Sequence, residues 1–298
     1  MNRNIVLLIT ILLSIVMYGC ASNGDTEETD ESNSASNDTD NNETLTLGKT
    51  PWTSTVPPTE IAAIILEDMG YEVEVEEADV GVVFAALASE DINIFMDYWV
   101  ANHNLLFEEF SDSLEILSTS YENAEWGLAV PEYMEDVNDI GDLKGKEDLV
   151  NNEVIGIEAG EPAQEDVPKV LEEYDLDMEL VNSSEAAMLA AARDSIDNNE
   201  PIVVFSWRPH SMFNHLDIKL LTNEKATDYF IASDVAVVAN ENLKEDAPEA
   251  YEFLSNWSMP IDDIEEMIAE IEDGEDPEDV AQTWVDNNQD KIDEMLGN

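Results

Sequence analysis

Two short runs, residues 92–96 and 201–205, are apolar almost throughout, and each follows a helix-length segment with apolar residues at helical spacing. A strand apolar on both faces must be covered on both, which suits a parallel sheet with helices packed on either side. The surrounding pattern agrees. Leu45-Thr46-Leu47-Gly48 reads as a short strand. Ile61, Ile64, Ile65 and Met69 predict a helix that opens at Pro58-Thr59-Glu60 and stops at Gly70. Tyr71, Val73 and Val75 alternate with glutamates as in a half-exposed strand, and Val80, Val83, Phe84 and Leu87 suit a second helix. This is a βαβαβ series with helical crossovers. The series restarts with a strand at 154–157, a helix ending near Tyr174, a strand at 178–181, a helix at 185–197 and the run at 201–205.

Two apolar segments, 126–131 and 234–238, are placed to carry the chain from one half to the other and back. Residues 247–296 read as helical, with starts marked by Pro248, Asp262, Asp263 and Pro277. The expected fold is therefore α/β, with two lobes, two crossover strands and a ligand cleft between the lobes. Lobe I takes residues 45–127 plus 235–298, and lobe II takes 128–234. Ligands in such sheets sit beyond the carboxyl ends of the strands.

The N-terminus follows different rules. Residues 1–19 carry Arg3 and then an apolar run from Ile5 to Met17, the pattern of a signal peptide. Met17-Tyr18-Gly19-Cys20 resembles the bacterial lipobox, in which the cysteine after the cleavage point carries a diacylglycerol. Cys20 is the single cysteine of the chain, so no intrachain disulfide can form. An uncleaved N-terminal anchor is the competing reading, and both tether the rest outside the cytoplasm. Residues 20–44 comprise the lipidated cysteine and a disordered acidic tether. From 21 to 44 it is Ser, Asn, Thr, Gly and acid, too poor in apolar surface to offset its ordering entropy.

Charge excludes several partners. The chain has 70 Asp+Glu against 11 Lys+Arg, a formal net charge of −59. Such a surface repels nucleic acid and anionic lipid and destabilises itself at low salt. The acids are spread along the whole chain, as on a solvated surface adapted to high salt.

Three of the six tryptophans fall just after strands: Trp52, Trp99 and Trp207. From there they should project toward the cleft. An indole face attracts a cation by about 0.5–2 kcal/mol when desolvated. Three rings around one methylated ammonium supply much of a micromolar affinity, about −8 kcal/mol. A quaternary nitrogen donates no hydrogen bond, so ring faces suit it. Trp126, Trp257 and Trp284 read as core.

At these residues the chain resembles the glycine betaine/proline-betaine receptors of ABC transporters, of the OpuAC and ProX kind. The likeness runs from about Leu45 to the C-terminus. It is carried by Asp91-Ile92-Asn93-Ile94-Phe95-Met96-Asp97-Tyr98-Trp99, Gly127-Leu128-Ala129-Val130-Pro131-Glu132-Tyr133-Met134, Ser183-Ser184-Glu185-Ala186-Ala187-Met188 and Ser206-Trp207-Arg208-Pro209-His210-Ser211-Met212-Phe213. The resemblance implies a type II periplasmic-binding-protein-like fold closing by a hinge. It implies a tryptophan prism matching Trp52, Trp99 and Trp207, no cofactor, and a permease with its ATPase as partners of a monomeric, membrane-anchored receptor. Family members offer the ligand carboxylate a histidine shortly after the Trp99-type residue, and backbone amides in the loop matching 159–163. Here the histidine position falls at Asn104 with His103 beside it, and Pro162 removes one amide, leaving Glu161 and Ala163.

Other chemistry is poorly supplied. His210 and His215 lack a third metal ligand in sequence, and Ser183-Ser184 suits a helix cap better than a nucleophile. No Gly-x-Ser-x-Gly or phosphate loop occurs. A choline or carnitine receptor with the same cage is the nearest alternative, and a surface hydrolase the distant one.

Overall fold

The computed structural model describes residues 44–298. The segments read above as a signal peptide and a tether, with Cys20, lie outside the described residues up to residue 43. The described chain forms ten strands: β1 (Thr44–Lys49), β2 (Glu72–Glu77), β3 (Ile94–Trp99), β4 (Leu114–Ala124), β5 (Trp126–Pro131), β6 (Glu153–Ile155), β7 (Glu179–Val181), β8 (Val204–Trp207), β9 (Ile218–Leu220) and β10 (Ser233–Asn240).

They build two five-stranded sheets, ordered β2-β1-β3-β10-β4 and β7-β6-β8-β5-β9. The two orders share one plan. The first strand of each series is flanked by parallel second and third strands, and the next position holds an antiparallel strand. That odd strand is in each case the one arriving from the other sheet. A chain that enters at the cleft edge must run away from it, so β5 and β10 oppose their neighbours. The first crossing is made at Glu125, between β4 and β5, and the return lies between β9 and β10. Each sheet with its helices is one lobe of an α/β molecule.

The apolar strands lie where both-face burial requires them. Every residue of β3, β5 and β8 is buried. The helix Val56–Asp68 lays Ile61, Ile65 and Leu66 into the core. It packs against the C-terminal helices Ile261–Glu272 and Pro277–Asn287. The helix Glu185–Asp197 opens with Ser184 Oγ accepting from the Ala187 amide at 3.2 Å, an N-cap that satisfies one of the free amides of the first turn. None of the described helices is long and apolar enough to cross a membrane.

Candidate ligand-binding site

The carboxyl edges of the two sheets face each other, and the space between them is a small cavity. Trp52, Ser54, Trp99, Asn102 and His103 line the cavity from the first lobe, and Trp126, Ile157, Glu161, Ala163, Phe205 and Trp207 from the second. Four indoles thus border one small space.

Each is set there by the backbone. Trp99 is the last residue of β3 and Trp207 the last of β8. Trp52 follows β1 and opens the 3-10 turn Thr53–Thr55 that leads into the first helix. Trp126 corrects an expectation, since it lines the cavity instead of filling a core. It is the first residue of β5 and lies opposite Trp207 in the antiparallel pairing. In an antiparallel strand the first residue sits at the same sheet edge as its neighbour's last. Trp126 also meets Trp99 edge to face, with centroids 6.2 Å apart and planes at 80°.

The family can now be read directly. Residues 43–287 match the model described as the substrate binding domain of ABC-type glycine betaine transport system. The chain belongs to this family. The glycine betaine/carnitine transport binding protein GbuC of Listeria monocytogenes is 36% identical over 153 residues. That alignment covers 49% of this chain and about half (51%) of the Listeria protein. Lactococcal OpuAC, in its closed-liganded conformation with glycine betaine, superposes with a TM-score of 0.80 at 28% identity, covering 86% of this chain and 100% of that one. An ABC-transporter choline binding protein in complex with choline superposes with a TM-score of 0.78 at 26% identity, over 85% of this chain and 91% of that one.

As in any binding domain of this family, the walls must be held stiffly if they are to read a small ligand. Asp97 does this for the first lobe. Fully buried, it accepts hydrogen bonds from the Trp99 indole at 3.2 Å, the Tyr121 hydroxyl at 2.8 Å and the Ser54 hydroxyl at 3.1 Å. Burial pushes its carboxyl above the ordinary value, while the Tyr121 bond, the nearby His103 and the Ser54 and Trp99 bonds pull it back. On the second lobe Trp207 packs edge-on to His210 at 4.6 Å.

The residues expected to meet a ligand carboxylate are placed unevenly. The His103 ring is buried, stacks on Trp52 at 5.8 Å and faces the cavity. Asn104 does not reach it. It is the first residue of the helix Asn104–Phe110, is exposed, and bonds Glu108 one turn on at 3.2 Å. The helix places consecutive residues about 100° apart, so one faces the cavity and the next the solvent. The backbone amides of Glu161 and Ala163 are both engaged. The first donates to the Glu158 carbonyl at 3.4 Å, the second to the Glu161 carboxylate at 3.3 Å. Their loop is anchored by Gln164, which accepts from the Ile157 amide at 2.9 Å. Gly156 leaves room for that amide, since a Cβ there would collide with Gln164 and Leu180.

A second set of contacts joins the lobes beside the cavity. Thr53 donates to Glu185 through its amide at 3.1 Å and its hydroxyl at 2.7 Å. Arg208 stacks on Phe213 and lies 3.8 Å from Glu265, outside the cavity lining. Glu185, His210 and Glu272 bring their polar atoms within 4.8 Å of one another. His210 is ill-suited to ligate a metal there. Its Nδ1 accepts from the Met212 amide at 3.0 Å, which leaves the ring proton on Nε2, the atom turned toward the glutamates. Pairings such as Glu185 with Thr53, 132 residues apart, and the lining roles of Ser54 and Asn102 carry no local sequence signal.

Proposed function

We propose that the chain captures a small quaternary-ammonium solute, glycine betaine or a relative of it, between the two lobes and passes it to a membrane permease driven by an ATPase. The observation that carries this reading is the convergence of four indoles, two from each lobe, on one small cavity. A trimethylammonium group has a diffuse charge and no N–H to satisfy, so aromatic faces replace its weak hydration at low cost. Trp52, Trp99 and Trp207 are assigned to the cationic head, with Trp126 as a fourth wall. The relatives support the class: one is named for glycine betaine and carnitine, and solved structures hold glycine betaine or choline.

In this reading the receptor works outside the cytoplasm, held to the membrane through lipid on Cys20, and acts as a monomer without a cofactor. The lobe boundaries expected from sequence, 45–127 plus 235–298 and 128–234, shift by two residues at each crossing, since Trp126 and Gly127 pair within the second sheet and Ser233 and Asp234 belong to the strand β10 of the first. Ligand contacts from both lobes favour the closed state, and that difference in affinity drives closure. Calorimetric titration with glycine betaine, proline betaine, carnitine and choline tests the proposal. Binding of at least one in the micromolar range is expected, and heats at the level of dilution for all four would refute it.

The acidic surface goes with a solute of this kind, since both suit a cell in high salt. With −59 net charge, self-repulsion should be screened as salt is added. The melting temperature is expected to rise by more than about 3 °C from low to molar sodium chloride. A flat or falling curve in circular dichroism would contradict this.

A further inference from the structure

Resting on the reading of the cavity as a quaternary-ammonium site, we propose that Glu161 decides which end-group the ligand carries, admitting a hydroxyl-ended cation and opposing a carboxylate-ended one. The donors that would seat a ligand carboxylate already serve a carboxylate of this chain. Glu161 Oε1 lies 3.4 Å from His103 Nε2 and accepts from the Ala163 amide at 3.3 Å. The Glu161 amide is spent on the Glu158 carbonyl, and Pro162 has no N–H to give. The anion seat at this end of the cavity is thus filled from within.

The filling carboxylate is itself incomplete. Glu161 is 6% exposed and lines the cavity, and its Oε2 is buried without a hydrogen-bond partner. A buried carboxylate oxygen lacking a donor is costly, and a ligand O–H would answer it. The hydroxyl of choline, carried on the same trimethylammonium head, donates to Oε2. Glycine betaine ends in a carboxylate, which only accepts. It would leave Oε2 unanswered, compete for His103 and Ala163, and set a second negative charge against the first in a low-dielectric space. The His103–Glu161 pair also spans the cleft, one partner from each lobe, so the carboxylate stands where closure brings the lobes together.

The test is calorimetric titration of the full-length chain with choline and with glycine betaine, for the natural protein, Glu161→Gln and Glu161→Ala. The glutamine keeps the shape and an acceptor for Ala163, and the alanine serves as a second variant should packing change. Circular dichroism melts establish that each is folded. The natural protein is expected to bind choline at least tenfold more tightly than glycine betaine, and both variants to move that ratio at least tenfold toward glycine betaine. A natural preference for glycine betaine, or a ratio unmoved by both variants, overturns the role of Glu161 while leaving the quaternary-ammonium reading intact. Binding of neither ligand by any form overturns the underlying reading, and this inference with it.

Discussion

Replacing Trp99 by alanine is expected to lower the affinity for a trimethylammonium ligand at least tenfold, and Trp207→Ala to do the same. Tenfold corresponds to about 1.4 kcal/mol, within the range for loss of a buried aromatic anchor at the centre of a binding surface. Trp99 is 4% exposed and Trp207 5%, so neither ring can be replaced by a neighbour without moving the wall behind it. Trp99 also supports Trp126 by its edge-to-face contact, and its loss frees a second indole. Trp284→Phe provides the control. That ring lies in the C-terminal helices, where its N–H bonds Asp263 at 3.0 Å, and affinity should be unchanged. Isothermal calorimetry of the three variants decides the matter. Undiminished affinity in both Trp99→Ala and Trp207→Ala would mean that the indoles do not hold the ligand.

The second large effect is on stability. Asp97→Ala should destabilise the protein by about 3 kcal/mol, since it strands three buried donors at once. These are the Trp99 indole and the Tyr121 and Ser54 hydroxyls. Ligand affinity should fall as well, because Trp99 loses the bond that fixes its plane. Asp97→Asn keeps an acceptor and adds an amide that Ser54 can accept from, so it should lie within about 1 kcal/mol of the natural protein.

The two variants separate charge from hydrogen bonding through pH. The folded-state value of Asp97 is raised above its ordinary 3.8, so the folded state holds a proton that the unfolded state gives up. That contribution is fully present below the ordinary value and is lost as pH rises through the raised one. Asp97→Asn cannot ionise at this position. Its melting temperature relative to the natural protein should therefore climb across the window that opens as pH rises above the ordinary 3.8. A difference that stays constant across that window would show that the Asp97 carboxyl is not held above its usual range.

How much of this was legible beforehand follows from the distance over which each signal acts. The helix Glu185–Asp197 was readable to its ends, because a serine cap and a run of Ala, Met and Leu act within the segment itself. The strand β3 was readable because burial on both faces leaves an apolar run. The strand β4 was not, although its eleven residues make it the longest of the described strands. Its pairing with β10 shifts register at three points, and each shift breaks the alternation by which a strand is recognised.

The cavity followed the same rule. Trp99 and Trp207 could be placed at the edge of the sheets because parallel strands end there. Trp126 was misplaced because a strand's direction depends on its partners, and nothing in the segment 126–131 says that it enters the second sheet from the cleft. Asn104 was offered as an alternative to His103 from alignment by motif, where a slip of one residue costs nothing. In space that slip turns the side chain from the cavity to the solvent. Glu161 was offered for its backbone amide, and the engagement of its carboxylate was not legible because it depends on His103, 58 residues away.

The central claim is that indole faces hold a positively charged methylated nitrogen, and a binding cycle tests it most directly. Choline and its uncharged isostere, in which a tert-butyl group replaces the trimethylammonium, have nearly the same shape and the same hydroxyl. Both are titrated into the natural protein and into Trp99→Ala, and the interaction between charge and ring is read from the four affinities. The natural protein should prefer choline by at least tenfold, and the preference should shrink severalfold in Trp99→Ala. Equal affinity of the natural protein for the two ligands, or a preference left unchanged when the ring is removed, would contradict the account.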